Sequence, residues 1–367
     1  SAFLDDIPNT EVFPFNPKMP VKTFLFISVI CVSIGAGALL TACHKEEAPR
    51  SVTPLEFTTP PGFPEPYYNF ENNPLTREGV NLGRKLFYDG RLSKDGNFSC
   101  AACHQQFAAF ATFDHDLSHG FDNQFTTRNA PGLFNLVWLK ELHQDGGIAN
   151  LEVQPLAPLT APNEMAEDLG SVLNKLKQEA TYPPLFNAAF GSPEITSQRM
   201  LKALAQFMAT MVSANSKYDQ VKRGEAQFSS REESGYALFR EKCASCHEEP
   251  LFTDLSYRNT GLPVNPYLLD YGRMRITGRK EDSLKFRVPS LRNVALTFPY
   301  THDGRLYRLD DVLDHYATGI RQSETLDPLL RNGIPLSNSE REAIKAFLNT
   351  LTDTSFVNDS RFGPPAN

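Results

Sequence analysis

Apolar residues recur at helical spacing in three places along the chain. Val80, Leu82, Leu86 and Phe87 follow Thr76, a residue type that caps helix starts, and predict a helix with one buried face. Leu201, Leu204, Met208 and Met211 share one face of a helix predicted over Met200 to Val212, with Thr196 or Ser197 as its cap. Ile344, Phe347, Leu348 and Leu351 repeat the pattern over Asn338 to Leu351, with Ser339 as the cap. Strand-like alternation is scarce. The expected fold is mainly α, with long ordered loops.

A fourth apolar run has a different character. Thr23 to Ala42 is rich in small residues, follows Lys22 and ends Leu40-Thr41-Ala42-Cys43. This is the pattern of a bacterial lipoprotein signal, with Cys43 left to carry the lipid. An uncleaved membrane-spanning helix is the alternative, because about 20 apolar residues suffice to cross a bilayer. The small residues ahead of Cys43 favour the signal. Met19 then reads as the true start, so 1–42 is an upstream extension plus signal segment. Residues 43–63, with Pro and Thr, read as a flexible tether to an outer membrane on its periplasmic side.

Length and charge narrow the rest. At 367 residues the chain exceeds one usual core, so two domains are expected. The polar stretch Ser216 to Glu232 supplies the boundary, giving domains over 64–222 and 223–367. A net charge of −7 without any basic run argues against nucleic acid as a partner. The 27 prolines point to irregular connections between helices rather than disorder, because apolar residues run throughout.

Six cysteines are present, and four fall in two identical frames. Cys100-Ala101-Ala102-Cys103-His104 and Cys243-Ala244-Ser245-Cys246-His247 are both C-x-x-C-H. That is the covalent c-type haem attachment pattern: thiols add across the haem vinyls and the histidine ligates the iron. Zinc pairs or a redox dithiol would have no need of both trailing histidines. Cys31 lies in the removed segment, so no pair is left for a structural disulfide. Gly83-Arg84-Lys85-Leu86-Phe87 and Gly235-Tyr236-Ala237-Leu238-Phe239 each precede a motif, which indicates a duplicated helix-then-haem unit. The fold class is therefore two cytochrome c-like haem domains.

Several segments resemble the bacterial di-haem cytochrome c peroxidase family, which includes the MauG-type enzymes. They are Leu82 to Asp89, Ser99 to His104, Arg128-Asn129-Ala130-Pro131, Val288 to Ala295 and Pro299 to Gly304. The resemblance spans Pro64 to Asp353. It implies that the first haem meets hydrogen peroxide and the second receives electrons from a small donor such as a c-type cytochrome. A MauG-like oxidase and a non-catalytic electron-transfer cytochrome are the alternatives, and a homodimer is left open.

The resemblance also implies site residues. Glu164 matches the distal acid/base and Gln154 its hydrogen-bonding partner, although from the residues alone Glu164 is equally a loop acid or helix cap. His119 matches a reversible ligand on a mobile loop eased by Gly120, with His115 as a competitor. Tyr316 stands where peroxidases of the family place a methionine ligand and MauG-type members a tyrosine; His315 competes with it. Gln144 stands where the family usually has a tryptophan between the haems, and the sole tryptophan, Trp138, reads as core. Asn129, Thr297 and Pro299 match the oxygen donors of an interdomain calcium.

Overall fold

Hydrogen-bonding caps decide where the helices start. The computed structural model describes residues 52–365. Its first long helix, α1 (Arg77–Phe87), begins where the Thr76 side chain accepts from the Gly79 N–H. A one-turn α2 (Cys100–Cys103) carries the first motif. Then come α3 (Leu156–Thr160), α4 (Leu169–Gln178), α5 (Tyr182–Phe190) and α6 (Ser197–Ala209). The Thr196 side chain caps α6. Met211 and Val212, expected within that helix, lie beyond its end, yet Met211 stays buried.

The second half repeats the plan. α7 (Lys217–Lys222) leads to α8 (Ser230–Lys242), which ends at Cys243. After long loops come α9 (Met274–Thr277), α10 (Leu309–Asp314), α11 (Asn338–Asn349) and α12 (Thr354–Val357). Ser337, not Ser339, caps α11: it exchanges bonds with Glu340 in a capping box, because the box needs an acid three residues on. β1 (Tyr257–Arg258) and β2 (Phe286–Arg287) form the one named sheet among the described residues, antiparallel, with Tyr257 opposite Arg287.

Two hydrophobic clusters result. The first gathers Leu82, Phe87, Phe110, Trp138, Phe186 and Phe207. The second gathers Tyr218, Phe239, Phe252, Ile344, Phe347 and Leu351. Each such aromatic contributes about 1.5–3 kcal/mol by leaving water. The same crossing organises both. α1 packs on α6 and α8 on α11. A Cβ added to Gly83 would stand 1.9 Å from the Ala203 carbonyl oxygen, and one added to Gly235 would stand 1.9 Å from that of Ala343. Only glycine permits either approach.

Two expectations need correction. The described part of the 43–63 tether is packed rather than free. Leu55 N–H donates to the Leu75 carbonyl, Arg77 N–H donates to Thr53, and Leu55, Phe57 and Phe63 lie against the first core. The polar stretch Ser216 to Glu232 is also no plain linker. It contains α7, whose Tyr218 joins the second core and whose Asp219 forms a two-point ion pair with Arg292 at 2.8 and 2.9 Å. Polar composition hid this because the charge is buried against a charge. In addition, Phe356 and Phe362 near the C-terminus pack into the first core, so the tail does not stay with the second half. Thr23 to Ala42, Cys31 and Cys43 lie outside the described residues, and no described helix is long and apolar enough to cross a membrane.

Candidate functional site

Both C-x-x-C-H frames fold into a single turn. His104 N–H donates to the Cys100 carbonyl at 2.9 Å, and His247 N–H to that of Cys243 at 3.0 Å. The turn places two thiols and an imidazole together, and all four thiols are free. Each imidazole is then fixed from behind. His104 Nδ1 bonds the Phe110 carbonyl at 2.7 Å, and His247 Nδ1 bonds those of Phe252 and Pro289, both at 3.1 Å. A carbonyl only accepts, so Nδ1 carries the hydrogen and Nε2 is left with its lone pair. Burial lowers both imidazole pKa values, against a smaller opposing effect of the carbonyls, so both stay neutral and able to bind metal.

Phe110 and Phe252 supply those carbonyls from the left-handed region, at φ of 60° and 57°. Non-glycine residues seldom adopt it. Sequence reasoning missed this pair. The available signal was a phenylalanine five or six residues after each motif histidine.

The two motifs open into one largely apolar cavity of about 1000 Å³. Free thiol pairs, neutral imidazoles with Nε2 available, and mainly apolar walls suit two covalently attached haems. Burial pushes the Cys100 and Cys243 thiols up to about 12.

Around the first motif the wall includes Gln154, Glu164 and His119. Burial alone holds the Glu164 carboxyl above the ordinary carboxylate range. Its charge is close enough to raise the Cys103 thiol pKa further, after desolvation. Gln154 shares the wall but forms no hydrogen bond with Glu164 among the described residues. His119 is half-buried; its Nδ1 donates to Asn123 Oδ1 at 2.8 Å and its ring packs on Phe125 at 4.4 Å. His115 is exposed, bonds the Phe113 carbonyl at 3.3 Å and is absent from the cavity wall.

Gly120 also meets a packing requirement that its sequence position did not suggest. A Cβ there would lie 2.3 Å from the Asn163 carbonyl oxygen and 2.6 Å from Glu164 Cα. Phe121 N–H also donates to the Glu164 carbonyl at 2.7 Å. The glycine therefore lets the His119 loop lie against the Glu164 backbone, and its φ of −112° needs no special freedom.

Near the second motif, Tyr316 and His315 sit on a π-helical turn, His315–Gly319, a local form frequent at functional sites. Tyr316 lines the cavity, and burial followed by the Cys243 and Cys246 thiols raises its phenol pKa. His315 turns away and bonds the Thr260 carbonyl through Nε2 at 2.9 Å.

Asn129, Thr297 and Pro299 line the same cavity. Among the described residues no group of three or more His, Cys, Asp or Glu side chains is arranged to hold a metal ion, so the oxygens offered here are amide and carbonyl. Gln144 Nε2 donates to the Asn129 carbonyl at 2.9 Å, while its buried Oε1 has no partner. Trp138 is fully buried, with Nε1 donating to the Pro64 carbonyl at 2.7 Å.

The family model described as di-haem cytochrome c peroxidase matches residues 77–227. The methylamine utilization protein MauG of Methylorubrum extorquens is 35% identical over 345 residues, covering 91% of this chain and 95% of that one. The cytochrome c551 peroxidase of Nitrosomonas europaea is 32% identical over 337 residues, covering 90% and 92%. The crystal structure of a MauG-like protein associated with microbial copper homeostasis superposes with a TM-score of 0.78 at 33% identity, covering 85% of this chain and 99% of that one.

Proposed function

Since this chain belongs to the di-haem cytochrome c peroxidase and MauG family, and is by that membership an oxidoreductase with two haem c groups, we propose that it reduces hydrogen peroxide to water. The observation that carries the proposal is Glu164: a half-buried carboxyl with raised proton affinity, in the cavity wall beside the first haem-attachment motif. A small c-type cytochrome or similar donor supplies the electrons. We further propose the finer arrangement: an N-terminal peroxidatic haem domain built on the first core, which takes in Leu55, Phe57 and Phe63 and the C-terminal Phe356 and Phe362, a C-terminal electron-transfer haem domain built on the second core, which takes in Tyr218, and a lipid on Cys43 that holds the protein to the periplasmic side of a bacterial membrane.

In this reading Cys100 and Cys103 hold the first haem, with His104 Nε2 on its iron. When bound, the two haems supply the iron that meets peroxide and the electrons that reduce it. Glu164 takes a proton from one peroxide oxygen and delivers it to the other, which leaves as water. Gln154, on the same wall, would be the hydrogen-bonding partner that orients that exchange. His119 would be the reversible ligand of the first iron, and its Nδ1 bond to Asn123 would leave Nε2 free for that role. Cys243, Cys246 and His247 would hold the second haem, and Tyr316 would supply a further ligand to its iron. Asn129, Thr297 and Pro299 hold a calcium ion between the halves.

Tyr316 favours a second reading, a MauG-like oxidase acting on a protein or small molecule, because a phenolate ligand lowers the reduction potential relative to methionine. One experiment separates them. The holoprotein is reduced by one electron and mixed with peroxide, and oxidation of a reduced c-type cytochrome is followed. Catalytic, peroxide-dependent donor oxidation supports the peroxidase. Peroxide consumption without donor turnover supports the oxidase, and no reaction with peroxide in either form removes both.

A further inference from the structure

Tyr218 and Tyr236 share one carboxylate. Tyr218 Oη donates to Glu249 Oε2, and Tyr236 Oη donates to the same side chain at 2.9 and 3.1 Å. Their ring centroids are 6.3 Å apart. The Lys222 ammonium lies 3.4 Å from Glu249 and over both rings. Tyr218 is 2% exposed and Tyr236 is half-buried at the surface. Inward, the Tyr218 ring meets Phe252 edge to face at 4.8 Å. Phe252 is the residue whose carbonyl fixes His247 Nδ1. Contacts therefore run without a break from the imidazole of the second motif, through Phe252, Tyr218 and Glu249, to Tyr236 at the surface.

A pair of phenols aimed at one acceptor is more than packing requires. A single hydrogen bond satisfies a buried hydroxyl, and Phe would fill the same space. The arrangement does meet the requirement for one-electron oxidation of a phenol. An oxidised phenol is strongly acidic, so its proton must leave with the electron, and an acceptor already in hydrogen-bond contact makes that possible.

We infer that Tyr218 and Tyr236 form a redox-active pair: Tyr218 takes up an oxidising equivalent delivered at the second motif, and Tyr236 carries it to the surface. The step balances. One electron passes from Tyr218 to the oxidised centre, which is reduced by one unit. The phenolic O–H bond breaks, and its proton forms an O–H bond on Glu249. A neutral tyrosyl radical remains. Tyr236 then gives an electron to Tyr218, which recovers a proton from Glu249, while the Tyr236 proton moves to the same carboxylate. A reductant at the surface is thus oxidised without reaching the haem. The inference rests on the proposed peroxide chemistry for its natural oxidant.

The test uses the holoprotein and electron paramagnetic resonance after rapid freezing, with two oxidants in separate arms. One is hydrogen peroxide; the other is photogenerated tris(bipyridine)ruthenium(III), which oxidises tyrosine whether or not the protein handles peroxide. Ring-deuterated tyrosine identifies the signal. The expected result is a tyrosyl signal in both arms, reduced at least tenfold by Tyr218→Phe with peroxide. The Tyr218→Phe/Tyr236→Phe double variant loses the part of the photo-oxidised signal that exceeds the background of exposed tyrosines such as Tyr267. Tyr236→Phe, at the less buried position, keeps the radical on Tyr218 but slows its decay with an added reductant. Wild-type signal in the double variant, or no tyrosyl signal above background in either arm, overturns the pair. If peroxide leaves both haem spectra unchanged while photo-oxidation gives a pair-dependent signal, the peroxidase reading falls and the pair stands.

Discussion

Glu164→Gln isolates the proton-transfer role with little change of shape. Among the described residues no hydrogen bond or ion pair reaches the Glu164 carboxyl, and burial is the sole cause of its raised pKa. Glutamine therefore breaks no partner and relieves a buried charge. Loss of a positioned acid/base slows the step by about 10²- to 10⁴-fold, or roughly 2.7–5.4 kcal/mol of barrier. As the proton acceptor, Glu164 works ionised. The wild-type rate of peroxide cleavage should rise with pH through the raised pKa and then level off, and the variant should lack that limb. Stability moves the other way. A carboxyl whose folded pKa lies above its unfolded value costs nothing in acid, where both states are protonated. The cost grows as pH passes from the unfolded to the folded value and persists at neutral pH. The variant should thus match wild type in acid and equal or exceed it at neutral pH in thermal unfolding. Stopped-flow single turnover with peroxide reads the first effect. A variant within about twofold of wild type at every pH would remove Glu164 from the chemistry.

Three further outcomes follow from particular contacts. Tyr316→Phe should alter the optical and paramagnetic signature of the second haem and leave the first unchanged; if His315→Gln does so instead, the ligand assignment moves to His315. Asp219→Asn strands the fully buried Arg292 guanidinium and should cost about 3–5 kcal/mol in denaturant unfolding, and a loss under 1 kcal/mol would mean that water or another group replaces the pair. Gly83→Ala and Gly235→Ala should each destabilise by about 1–3 kcal/mol, and by similar amounts, because each added Cβ would meet a helix carbonyl at 1.9 Å. Unequal losses would separate the two helix crossings.

Local rules are legible in the sequence; long-range ones are not. The caps at Thr76 and Thr196 follow from side-chain chemistry one turn away, and the haem frames from spacing within five residues. Gly83 and Gly235 stand out once aligned ahead of the motifs, but the reason for them lies on α6 and α11, more than 100 residues downstream in each case. Arg292 with Asp219 has the same character: polar letters at both positions read as surface until their pairing is seen. Gly120 reads as a hinge because glycine is permissive, whereas the structure uses its missing side chain. The left-handed Phe110 and Phe252 could not be anticipated, since no propensity favours an aromatic there.

The repetition extends only behind the haem positions, and this bears on how the proposed labour is divided. Both halves share a helix crossing closed on a glycine, a one-turn thiol pair, and an imidazole held by a left-handed phenylalanine carbonyl. Those parts fix iron and do not distinguish two uses of it. In front, the halves differ. The first presents a carboxyl without a partner and a histidine loop resting on that carboxyl's own backbone, so loop and acid are mechanically joined through the Phe121–Glu164 bond. In the proposed reading, in which the His119 loop moves, its movement would reach Glu164 through this bond. The second presents a phenol from a π-helical turn whose neighbour His315 is tied to the Thr260 carbonyl. A centre that must bind peroxide gains from the first arrangement. One that must exchange electrons with little reorganisation gains from the second. The buried Gln144 Oε1, which has no partner among the described residues, lines the cavity that both motifs share.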